Sequence, residues 1–207
     1  ESGKRFAEFS ENNLHLVGYS IPCNLTLNLD ELLGHIHSLP EQPDVIPYVT
    51  SYYKDEWGFC LSHKTKEKLP KGSYKIFIDS TKSKGKMHLA DVLLEGSISE
   101  EIFMTTYICH PSMANNELSG IMVSMGLINY FKKRKLKKTI RFLFIPETIG
   151  AIAWLSLNEG NLSKIKHALN ISDIGNKGKI IYKKSRRGNA QVDKIVRNIL
   201  DDNHVSS

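Results

Sequence analysis

Cysteine is scarce in this 207-residue chain: Cys23, Cys60 and Cys109 are the whole set, and no two of them form a Cys-x-x-Cys pair. So small and odd a set excludes a disulfide framework and fits a reducing compartment, and a cytoplasmic location is expected. Long apolar runs are missing too. The most apolar stretches, IMVSMGLINYF (121–131) and IRFLFIP (140–146), fall short of the roughly 18 residues that suggest a membrane span, so no membrane partner is expected. No signal-peptide pattern opens the chain, no internal repeat runs through it, and a short lysine run is its only biased tract. What is present is ordinary for a globular protein: 41% hydrophobic residues, 24% charged residues, and 28 Lys and Arg against 22 Asp and Glu, a net +6. That composition excludes general disorder and supplies apolar mass for one domain or two small ones. The start at Glu1 without Met, and the end at Asn-His-Val-Ser-Ser just after an amphipathic segment, suggest a piece of a longer chain.

The texture changes along the sequence. Residues 1–97 hold five of the seven prolines and read as short strands and turns. LHLVGYSIP (14–22) and SYKIFIDS (73–80) alternate apolar and polar residues as strands do, LDELLGHIH (29–37) reads as a short helix capped by Asn28, and KGKMHLADVLLEG (84–96) reads as extended. Residues 98–207 hold longer elements in alternation. EIFMTTYIC (101–109) is strand-like, ELSGIMVSMGLINYFKKR (117–134) helical and TIRFLFIP (139–146) strand-like. A helix at 148–158, a strand around HALNISDI (167–174) and a last helix AQVDKIVRNILDD (190–202) follow. Strand–helix alternation implies parallel pairing through right-handed crossovers, so the expected class is α/β with a central, mostly parallel sheet and a β-rich first half.

In open α/β sheets ligands bind at the carboxyl ends of the strands. That rule selects His110, directly after the first strand of the second half, Glu147 after the next, and Asp173 near the end of the third. Imidazole nitrogen and carboxylate oxygen suit zinc, and a carboxylate beside an activated water can act as general base in hydrolysis. Each residue also has a plain structural explanation: His110 as a hydrogen-bonded loop residue, Asn115, Asn116 and Glu117 as capping and dipole-stabilising residues at a helix start, Glu147 as a first-turn acid of a helix starting at Pro146-Glu147-Thr148, Asp173 as a turn residue before Gly175. The coincidence of three such residues on one edge favours the chemical reading.

TYICHPSMANNELSG, followed about thirty residues later by RFLFIPETIGAIAWL, resembles the metal-binding stretches of zinc-dependent aminopeptidases with two co-catalytic zinc ions. The whole chain, PYVTSYYKDEWGFC included, resembles bacterial aminopeptidase-like proteins associated with polysaccharide biosynthesis, in which a domain of unknown function is inserted into a zinc-peptidase-like core. The resemblance implies one or two zinc ions and a small peptide, amide or amino-sugar-type substrate. It implies His110 as the first ligand, Asn116 where a metal-bridging Asp is expected, Glu147 as catalytic base and Thr148 where a metal-binding Glu is expected. Asp173 corresponds to a later ligand with a one-residue slip, and Ser112 replaces the acid that orients the His. Asn116 and Thr148 carry no charge to balance two zinc ions, which also keeps open a catalytically reduced, peptidase-like binding protein. Glu117 could supply the carboxylate if the helix start is rotated by one residue.

Secondary features carry less chemistry. Tyr52, Tyr53 and Trp57 belong to an aromatic segment that could line a substrate cleft or pack the first half internally. Arg186 and Arg187, with Lys183 and Lys184, could bind an anionic part of a substrate. The run Lys132–Lys138 sits at a helix C-terminus, where the dipole favours cations, so a solvated face is preferred over nucleic-acid binding. His35 and His37 fall on a predicted helix where their spacing does not align them, and His204 lies after the last helix rather than on a core strand.

Overall fold

A computed structural model describes residues 3–110 and 113–202; Ser112 and His204 lie outside the described residues. The chain divides into two compact units, Glu1–Gly85 and Lys86–Ser207.

The first unit is built from short elements: β1 (Cys23–Asn28), α1 (Leu29–Leu33), β2 (Ile36–His37), β3 (Phe59–Cys60), α2 (His63–Glu67) and β4 (Ser73–Ile78). β1 pairs antiparallel with β4, and β2 pairs parallel with β3. Two sequence-based expectations are corrected here. Residues 14–22 begin in a 3-10 turn, Asn13–His15, and their strand pairing is limited to the isolated bridges Leu16–Phe59 and Gly18–Thr50, so the strand begins at Cys23; Tyr19 interrupts the alternation with φ 67°. Asn28 does cap α1, in a reciprocal capping box with Glu31, but the helix stops at Leu33 and Ile36–His37 is strand. A core of Leu32, Ile36, Leu61, Leu69 and Ile76 closes the unit.

The second unit is mixed α/β. Its elements are β5 (Ala90–Leu94), β6 (Ile98–Tyr107), α3 (Ser119–Phe131), β7 (Lys138–Ile145), α4 (Ile149–Leu157), β8 (Ile165–Asn170) and α5 (Gln191–Asp202). The sheet order is β5-β7-β6-β8; β6 runs parallel to both β7 and β8, and β5 runs antiparallel to β7. From Phe142 to Ile145 β7 is apolar on both faces, as a strand covered from two sides must be. On one face Leu143 and Ile145 join Phe103 and Trp154, and on the other Ile140, Phe142 and Phe144 meet residues of α3. This arrangement brings the ends of β6, β7 and β8 to one edge. Among the described residues no helix is long and apolar enough to cross a membrane.

Candidate active site

The site grows from the end of β6. After Tyr107 the chain passes through Cys109 and His110, then enters one π-helical turn, Ala114–Leu118, that runs into α3. A π turn holds an extra residue, and such turns concentrate at functional sites. Its consequence is the inward rotation that the sequence left open: Glu117 is fully buried. Its Oε1 lies 2.7 Å from His110 Nδ1 and its Oε2 accepts from the Cys109 amide at 3.1 Å.

Cys109 completes this group. Its Sγ lies 3.4 Å from His110 Nδ1 and 3.6 Å from Glu117 Oε1, and it accepts from the Glu147 amide at 3.2 Å. Burial pushes the thiol above its usual range, and the neighbouring carboxylates of Glu117 and Glu147 add to the shift. One ligand atom from each of Cys109, His110 and Glu117 lies within 4.8 Å of the others. Sulfur, imidazole nitrogen and carboxylate oxygen form a donor set of the kind that binds zinc-like ions. The residues therefore fit one metal ion. They do not fit two: Asn116, neutral, turns its amide toward Asp173, with Nδ2 3.2 Å from Oδ2, and Thr148 offers only a hydroxyl.

Asp173 is held at the same edge by the start of α3. It adopts φ 56°, and the two residues after it are pinned: Ser119 Oγ accepts from the Ile174 amide at 3.1 Å, and Asn115 Oδ1 from the Gly175 amide at 2.8 Å. Gly175 is required by this close approach, since a Cβ there would lie 2.9 Å from Ser119 Cβ.

Glu147 follows β7 and is exposed. It sits at the mouth of a tight turn, in which the Ile149 amide donates to the Glu147 carbonyl at 2.7 Å across Thr148 at φ 60°, ψ −72°. That is the γ-turn conformation, rare and strained for a β-branched residue. Beside Glu147 opens a cleft of about 300 Å³. Its apolar wall comes from Phe103, Leu143, Ile145, Ala151, Trp154 and Leu155, and its polar wall includes Thr105, Tyr107, Asn170 and Thr148. Burial, with the Glu147 and Asp173 carboxylates, pushes the Tyr107 phenol above its usual range, so it keeps its proton at neutral pH.

The structure thus gathers His110 with Glu117, and Asn116 with Asp173, and places Glu147 on the cleft. Tyr52, Tyr53 and Trp57 lie in the first unit. There Tyr53 is 99% exposed, the Tyr52 ring packs 4.7 Å from that of Tyr19, and Trp57 stacks at 3.8 Å on His35. Arg186 and Arg187 precede α5, in a segment organised by Asp193. Cys109 was missed as a site residue on sequence, although its place between the end of β6 and His110 was a usable signal. Tyr107 and Asn170 were missed because their meeting depends on the pairing of β6 with β8.

Comparison with known proteins gives consistent results. The model of a domain of unknown function, DUF4910, matches residues 15–207. A curated protein of Clostridium acetobutylicum, named "Putative polysaccharide biosynthesis protein with aminopeptidase-like domain", is 43% identical over 198 residues, which are 96% of this chain and 46% of that protein. A crystal structure described as a "putative peptidase" from Clostridium acetobutylicum aligns with TM-score 0.92 at 42% identity, covering 97% of this chain and 47% of that one. The chain spans less than half the length of these relatives.

Proposed function

The chain belongs to the DUF4910 domain family, and on that premise we propose that it is the metal-dependent hydrolytic part of an aminopeptidase-type enzyme acting in polysaccharide biosynthesis. The first unit then corresponds to the insert of the family pattern and the second to its peptidase-like core. The observation that carries the reading is the convergence of Cys109, His110 and Glu117 at the end of β6 with Glu147 at the end of β7. Cys109, His110 and Glu117 would hold one zinc ion. Zinc bound there supplies Lewis acidity and lowers the pKa of a coordinated water toward neutrality.

The chain's own residues supply the remaining parts. Glu147, exposed on the cleft, takes the proton of the attacking water and returns it to the leaving amine. The γ-turn at Thr148 fixes the backbone that carries it. Asp173, held by Asn116, adds a negative charge to the same edge and suits a cationic amino group of the substrate. The substrate class is a small peptide, amide or amino-sugar-type compound, and the compartment is the cytoplasm.

Metal analysis by mass spectrometry tests the reading, with zinc-loaded chain assayed on amide substrates. Near-stoichiometric zinc that is lost in His110→Ala, with turnover abolished but zinc retained in Glu147→Gln, is the expected result. Undiminished hydrolysis by Glu147→Gln would remove Glu147 as base. Zinc-free protein after loading would favour the second reading, a peptidase-like binding protein, for which the neutral Asn116 and Thr148 speak.

A further inference from the structure

Three side chains on the polar wall of the cleft form a directed chain of hydrogen bonds. The Thr105 hydroxyl donates to Asn170 Oδ1 at 3.1 Å, and Asn170 Nδ2 donates to the Tyr107 hydroxyl oxygen at 2.6 Å. An amide oxygen only accepts and an amide nitrogen only donates, so with its oxygen on Thr105 Asn170 turns its nitrogen to Tyr107. A phenol carries a single proton. Because Asn170 supplies the proton in the last bond, the proton of Tyr107 is left over, and among the described residues no acceptor takes it. The register of the sheet maintains this arrangement, since Thr105 of β6 lies directly opposite Asn170 of β8.

The position of that leftover donor gives it a use. Tyr107 ends β6 and borders the same cleft as Glu147, which follows β7. Trp154 and Leu155 of α4 give the same cleft an apolar wall. We propose that Tyr107 donates its hydroxyl proton to the carbonyl oxygen of an acyl amide whose apolar acyl group lies against Trp154 and Leu155. The proposal rests on the hydrolase reading above and narrows its substrate class to amides with aliphatic or aromatic acyl groups. A charged group on that wall would lose hydration without gaining a partner. A neutral donor aimed at the carbonyl oxygen also becomes more effective as negative charge develops there. Tyr107 is then a catalytic residue, and Thr105 and Asn170 are positioning residues that act through it.

Calorimetric binding to the zinc-loaded Glu147→Gln chain, which is expected to hold an amide without cleaving it, tests the proposal with L-leucinamide and the α-amide of aspartic acid as probes. Leucinamide is expected to bind, and the aspartate amide to bind at least roughly ten-fold more weakly. Adding Tyr107→Phe should weaken leucinamide roughly ten-fold, about the worth of one hydrogen bond, with little change in the unfolding midpoint, because the ring is retained and the exposed Asn170 amide can turn to water. Leu155→Trp, which places a bulkier ring in the lining of the cleft, should erase the preference for leucinamide. Leucinamide affinity that does not fall on Tyr107→Phe overturns the proposal, as does failure of the Glu147→Gln chain to bind leucinamide. The hydrolase reading fails by a different result: undiminished turnover in Glu147→Gln removes the base, whatever Tyr107→Phe does to binding.

Discussion

The carboxylate of Glu117, fully buried, lies 2.7 Å from the imidazole Nδ1 of His110, seven residues earlier in the chain. A buried carboxylate is tolerable only where its oxygens are satisfied, and here the second oxygen is taken by the Cys109 amide. The pair fixes the ring of His110 and ties the end of β6 to the start of α3.

Removing that carboxylate should therefore cost both stability and metal. Glu117→Ala leaves the Cys109 N–H and His110 Nδ1 without their buried acceptor, a loss of about 2 kcal/mol. Glu117→Gln retains an acceptor and should cost about half as much. Guanidinium unfolding curves compare the two, and zinc content measured on the same samples should fall in the order parent, Gln, Ala. Equal stability of all three proteins would contradict the role of Glu117 as the tie.

Thr148 predicts a change of opposite sign. A threonine at φ 60°, ψ −72° stores about 1–3 kcal/mol of backbone strain, and glycine adopts such a conformation without a Cβ penalty. Thr148→Gly should raise the unfolding midpoint, even after allowance for the greater freedom of an unfolded glycine. It should also lower turnover, because the turn that carries Glu147 becomes less fixed. A lower midpoint would mean that the turn is not strained.

Asp193 makes the second unit sensitive to acid. Its carboxylate accepts from Tyr182 Oη (2.8 Å), Ser185 N (2.8 Å), Ser185 Oγ (2.6 Å) and Ala190 N (2.9 Å). Led by the hydrogen bonds from Ser185, these contacts lower its pKa from 3.8 to about 2. A carboxyl group whose folded pKa is depressed stabilises the fold above its unfolded pKa and loses that contribution as pH falls through the folded value. Stability should thus decline between about pH 4 and pH 2, and less so in Asp193→Asn. Thermal melts across that range check this, and an identical acid limb in both proteins would exclude the contribution.

Much of the second unit was legible because its signals are local. The apolar run of β7 and the helical pattern of 117–134 each specify their element, and the rule that ligands meet strand ends was enough to select His110 and Glu147. What escaped depends on partners far along the chain. LHLVGYSIP alternates like a strand, yet it has no continuous partner, whereas Cys23–Asn28 gains one in Ser73–Ile78. The inward turn of Glu117 depends on a π turn, for which ANNEL carries no distinctive signal. The Tyr107–Asn170 bond depends on the register of two strands whose bonded residues lie 63 positions apart, and the capture of Cys109 depends on an amide supplied by the end of β7.

An ionic bracket spans three strands of the sheet. Arg141 of β7 donates to both oxygens of Asp91 on β5 at 2.8 Å, and to Glu101 on β6 at 2.8 and 3.2 Å. Trp154 Nε1 adds a 3.0 Å bond to Asp91, linking the bracket to a ring that also walls the cleft. These side chains are 8–26% exposed, so solvent screens them only in part. Removing the cation leaves two partly buried carboxylates without their shared partner, the costly way to break such a network. Arg141→Met should cost about 3 kcal/mol, whereas Asp91→Asn, which leaves Glu101 to compensate Arg141 and can still accept from Trp154, should cost about 1 kcal/mol. Urea unfolding of the two variants tests the asymmetry. If Asp91→Asn proves as damaging as Arg141→Met, the cost comes from losing the Asp91–Arg141 pair itself and not from stranding two carboxylates.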